Sequence, residues 1–62
     1  MMTEKDILYE VGRFWVLDDR KHDAYVVMRN GDTYSTSDSG YPRTPDGLSI
    51  AKARVDYLAR SK

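Results

Sequence analysis

The chain has 62 residues, no cysteine and one histidine, and its ten basic and ten acidic side chains cancel to a net charge of zero. A single domain is expected at this length, near the lower size at which a chain folds unaided, and with no cysteine neither a disulfide nor a thiolate metal site can staple it. The lone His22 leaves no His-rich metal cage, and zero net charge argues against a general nucleic-acid binder, whose affinity rests on many Lys and Arg at phosphates.

Hydrophobic residues make up 40% of the chain and charged residues 32%, the balance of a folded domain rather than a disordered one. No apolar run approaches the ~20 residues that span a bilayer. The opening Met1-Met2-Thr3-Glu4-Lys5-Asp6 is polar, with no apolar signal segment behind it, so no membrane association and a cytoplasmic location are expected. Stability must come from one compact apolar core, or from a core completed by a partner or a second copy.

Residues 1–12 form an N-terminal segment with two readings. Thr3 with Asp6 resembles a cap, and Ile7, Leu8 and Val11 before Gly12 then make a short helix over about residues 4–11. Alternatively Leu8–Val11 extends the first strand, with Gly12 as a bulge. The helix is preferred.

A β-meander is expected over 13–36. Its first strand is Arg13-Phe14-Trp15-Val16-Leu17, rich in aromatic and β-branched residues, with Phe14 and Val16 on one face and Trp15 and Leu17 on the other. The charged stretch Asp18–Asp23 is read as an exposed loop to the second strand, Ala24–Arg29. Asn30-Gly31 then suits a two-residue type I′ turn, in which both positions need positive φ. That turn sets Arg29 opposite Asp32, Val27 opposite Tyr34 and Tyr25 opposite Thr36, so that Tyr25 and Tyr34 share a sheet face.

Residues 37–43 are read as a loop and 44–60 as a helix. Thr44 is the expected N-cap and Pro45 the first helical residue, with a start nearer Leu48 as the alternative. Leu48, Ala51, Val55 and Leu58 recur at spacings of three and four and mark the core face. The fold class is therefore α+β: a three-stranded antiparallel meander with a C-terminal helix packed on one face.

No catalytic pattern emerges. His22 sits among charges with no nucleophile at a meaningful spacing, Asp18-Asp19 belongs to a polar loop rather than an apolar pocket, and Gly40 and Gly47 form no phosphate cradle. No enzyme activity, cofactor, metal or small-molecule substrate is expected. Two features carry more information. Tyrosines beside arginines can stack on bases or anchor a protein interface. In addition, Ile50, Ala53 and Tyr57 form a second helical stripe nearly opposite the core face, which a single sheet cannot also cover. Residues 1–48 hold six basic and nine acidic groups, and 49–62 hold four and one, including Lys52, Arg54, Arg60 and Lys62. Cations at the end of a helix are favoured by its dipole.

The strand–strand–strand–helix order from Arg13 to Arg60 resembles the three-stranded DNA-binding modules of tyrosine-integrase amino-terminal domains and of Apetala-type domains. That resemblance implies a basic sheet lying in the major groove, whereas the sheet region here carries Asp18, Asp19, Asp23, Asp32 and Asp38. The stretches Thr33–Tyr41 and Leu48–Ala59 are similar to small uncharacterised proteins of proteobacterial genomes and prophages, which implies a mobile-element accessory protein. The expected function is a small non-enzymatic protein-interaction module, accessory or regulatory, with a homodimer as one option. Its candidate interface is Ile50, Tyr57, Arg54, Trp15, Tyr25 and Tyr34. The alternative is a nucleic-acid-binding domain using the sheet's Tyr and Arg residues.

Overall fold

The computed structural model describes residues 6–60. Thr3 and Lys62, named above as a cap and as part of the basic end, lie outside them. Four strands precede one helix: β1 Ile7–Val11, β2 Phe14–Asp19, β3 Ala24–Asn30, β4 Ser35–Pro42 and α1 Pro45–Arg60. The strands form one antiparallel sheet in the order β1-β2-β3-β4, each paired to its neighbour in sequence. The class is α+β with an antiparallel sheet and a C-terminal helix, but the sheet has four strands where three were expected.

The additional strand is β1. Residues 7–11 pair along β2, with Val11 opposite Phe14 and Glu10 opposite Trp15. Gly12 and Arg13 form the two-residue hairpin loop, and Gly12 holds φ +61°, the left-handed backbone that the first loop position of a II′ turn requires. The glycine thus ends a strand rather than a helix. Alternation explains the choice: Tyr9 and Val11 pack on the core while Glu10 stays exposed, and a period of two buries what a lone helical turn would leave wet.

The last hairpin also departs from expectation. Gly31 does not have positive φ; among the described residues only Gly12 and Asp23 do. The chain instead turns over Gly31–Tyr34, closed by the Gly31 N–H donating to the Tyr34 carbonyl (2.8 Å), with Asn30 opposite Ser35. Arg29 therefore faces Thr36 rather than Asp32. Asn30 is drawn into β3 because its Oδ1 accepts both the Trp15 indole N–H (2.8 Å) and the Ser35 hydroxyl (2.7 Å). Moving the turn lengthens the pairing, so residues 37–42, expected as a loop, become the body of β4. One register shift opposite Val27 and Met28 leaves Asp38 as the extra residue, and Tyr41 then lies opposite Tyr25.

The helix begins as expected. Thr44 Oγ1 accepts the Gly47 N–H at 3.0 Å, satisfying a donor that the first turn leaves free, and Pro45 occupies the first position. Val16 and Val27 of the sheet meet Ala51 and Val55 of α1, and none of the four has exposed surface. Tyr9, Val11, Phe14, Tyr25, Tyr41, Leu48 and Leu58 ring this centre. Each fully buried valine contributes about 1.5–3 kcal/mol. Gly47 is buried too, pressed on the backbone of Pro42 at the end of β4.

The helix covers one face of the sheet. By register, the other face carries Ile7, Glu10, Trp15, Leu17, Asp19, Val26, Met28 and Ser37. Trp15 is 3% exposed on that side, outside the helix-facing core cluster.

Candidate functional site

Two polar contacts fasten opposite flanks of α1 to opposite ends of the sheet. On the β1 side, the Tyr9 hydroxyl donates to Asp56 Oδ1 at 2.6 Å, and the Lys52 ammonium lies 5.7 Å from the Tyr9 ring centre. The hydrogen bond to Asp56, with desolvation and the carboxylate's charge adding to it, raises the Tyr9 pKa. On the β4 side, Arg54 Nε donates to Asp38 Oδ2 at 3.0 Å. That bond lowers the Asp38 pKa against the opposing effect of desolvation, and the Ser39 hydroxyl assists. Asp38 is the extra residue of the β4 bulge.

Between these flanks runs the solvent side of α1. Ile50 and Tyr57, two turns apart, are 51% and 59% exposed. The Arg54 guanidinium stands 5.7 Å from the Tyr57 ring centre, so one arginine joins the stripe to β4. The described part of the N-terminal segment does not cover this stripe: it is strand β1 at the far edge of the sheet. Ile50, Tyr57 and Arg54 are therefore brought together at one surface.

The other three candidates lie elsewhere. Trp15 is interior and hydrogen-bonded to Asn30. Tyr25 packs against the core, with Arg43 5.9 Å from its ring centre. Tyr34 is 72% exposed but sits in the β3–β4 loop, so it shares no sheet face with Tyr25. The exposed residues Asp46, Ala53 and Arg60 continue the stripe along α1; charged end residues on a helix look like ordinary solvated positions in sequence, and their alignment is visible only from the helical spacing.

A second charged group gathers where the β2–β3 loop meets the start of α1. Arg43 binds Asp18 at 2.9 Å and Asp23 at 3.4 Å, and Arg20 binds Asp6 at 2.8 Å. The bond to Asp18 raises the Arg43 pKa. His22 Nδ1 lies 2.8 Å from Asp19 Oδ2, and this contact lowers the Asp19 pKa. The pair lies at the surface, where water screens it and it contributes little. Among the described residues no three His, Cys, Asp or Glu side chains are placed to hold a metal ion, and no helix is long and apolar enough to cross a membrane. Open clefts run along Ile7–Glu10 and between Gly12, Arg13, Phe14 and Ala59.

These features define a small α+β domain in which a four-stranded meander is covered on one face by its C-terminal helix. No family model, curated protein or solved structure matches the chain.

Proposed function

We propose that this chain is a small non-enzymatic protein-interaction module whose binding surface is the solvent side of α1. The observation that carries the reading is the juxtaposition of Ile50 and Tyr57, each more than half exposed, with Arg54 stacked against the ring and anchored to Asp38. Aromatic and arginine side chains are the residue types that dominate binding hot spots. Here the arginine is held in place before any partner arrives, which lowers the ordering cost of binding. A cytoplasmic setting fits the absence of cysteine. An accessory or regulatory role of the prophage kind draws only on the resemblance of Thr33–Tyr41 and Leu48–Ala59. The sheet-borne nucleic-acid site finds no support, because the face away from the helix carries no Lys or Arg in any of its four strands.

A photo-reactive residue at Ala53, in the middle of the stripe, tests the reading in cells producing the protein, with the same group at the exposed Lys21 as control. Discrete adducts from position 53 and none from 21 are expected. Equal labelling from both positions, or none from 53, refutes the proposal.

A further inference from the structure

We propose that the partner of this surface is a second copy of the chain, the two α1 helices running antiparallel about a two-fold axis at Ala53. The inference rests on the interaction-module reading and names its partner. Asp46, Ile50, Ala53, Tyr57 and Arg60 are all exposed. Their spacings of four, three, four and three confine them to an arc of ~80° at 3.6 residues per turn. That alternation is the seam of a two-helix pairing, and here it lies opposite the seam buried on the sheet.

The seam is self-complementary in one direction only. With the helices antiparallel and Ala53 on the axis, Ile50 of each copy meets Tyr57 of the other, and Asp46 meets Arg60. The small side chain at the axis lets the helices approach to ~8 Å. A parallel pairing would stack Asp46 on Asp46 and Arg60 on Arg60, which like charges oppose. Neither group is committed elsewhere: among the described residues Asp46 and Arg60 belong to no ion pair, and Arg60 Nε makes only a long 3.4 Å bond to the Asp56 carbonyl. The two helix dipoles also align favourably when antiparallel. Zero net charge adds no overall repulsion between copies.

The pairing is weak by construction. A 16-residue helix is ~24 Å long, and a seam along it buries less than the ~800 Å² per partner of a stable complex. The core is closed within one copy, so the monomer folds without its mate.

Sedimentation equilibrium on the purified protein, from micromolar to about 1 mM, provides the test. The native chain should self-associate, and Ile50→Ser with Tyr57→Ser should leave a monomer. Asp46→Arg or Arg60→Asp alone turns two symmetric attractions into repulsions and should weaken association roughly tenfold. The double reversal Asp46→Arg with Arg60→Asp should restore it, whereas helix dipoles alone would make the double change the worst of the three. Ala53→Arg, which the helix tolerates, places two cations on the axis and should abolish association, a test that holds even where the double reversal fails to fold. A native chain that stays monomeric to 1 mM, association that survives Ala53→Arg, or a folded double variant weaker than either single one overturns the pairing. The mass of the position-53 adduct separates this proposal from its premise: twice the chain mass supports both, another mass keeps the module and removes the second copy, and no adduct removes both.

Discussion

Gly47 lies in the first turn of α1, where a Cβ would run into the carbonyl oxygen of Pro42 and stand 3.0 Å from its carbonyl carbon. Both atoms are backbone at the end of β4, so no side chain can swing aside. Gly47→Ala therefore has to lift the helix start away from the sheet by more than an ångström. Overpacking of this kind costs ~3 kcal/mol at the upper end of its range. The same displacement strains the Thr44 cap, worth ~1 kcal/mol, and the better helix propensity of alanine returns ~1 kcal/mol. The net loss is ~3 kcal/mol, most of what a single core of this size supplies. Urea denaturation followed by the fluorescence of the sole tryptophan, Trp15, is the assay. With a slope of ~1 kcal/mol/M for so small a chain, the midpoint should fall by about 3 M, or the variant should be unfolded at the outset. Gly40→Ala is the control, since a Cβ there meets nothing within 4 Å. A Gly47→Ala protein as stable as the native chain would show that the first turn of α1 does not rest on Pro42, and the reasoning would fail.

Three further outcomes follow from the polar contacts. Asn30→Ala leaves the interior Trp15 indole N–H without its acceptor and should cost ~1–3 kcal/mol in the same denaturation assay, while Asn30→Asp, which keeps an oxygen there, should cost less. The folded Asp38 pKa is lowered, so its contribution to stability is complete above the unfolded value of ~3.9 and is lost as pH falls through the lower folded one. Asp38→Asn should flatten that part of the acid limb of a stability–pH curve, and an unchanged limb would contradict the Arg54 contact. The Tyr9 pKa is raised, so its contribution is complete below ~10 and is lost as pH climbs through the higher folded value; Tyr9→Phe should remove that alkaline dependence, measured by circular dichroism.

Legibility in the sequence followed the strength of the local pattern. The helix was readable from Thr44 to Arg60 because a cap, a first-position proline and a three–four apolar spacing agree. β2 and β3 were readable because branched and aromatic residues crowd there. β4 was readable only at its start, Ser35 and Thr36, since Ser37-Asp38-Ser39-Gly40 has the composition of a loop. It becomes a strand because β3 offers a hydrogen-bonding edge and because Tyr41 gains a place on the core. The Asn30-Gly31 pair misled because Asn30 answers to Trp15, fifteen residues away, rather than to its own neighbours. Of the candidate surface, Ile50 and Tyr57 were visible from spacing alone. Trp15 was not separable from an interface residue, because a large aromatic ring looks the same in sequence whether it ends inside or outside.

The polarity of β4 has a bearing on how the protein behaves when crowded. An open sheet edge is a template on which other chains can stack, and long, flat, apolar edges are the ones that seed fibres. This edge is built of hydroxyls and one carboxylate, is interrupted by a bulge at Asp38 and closes on Pro42. Most of its residues are exposed to water, and neither the bulge nor the proline permits an uninterrupted ladder. The protection belongs to this edge; the opposite edge, β1, carries Ile7, Leu8 and Tyr9 and lacks its serines and proline.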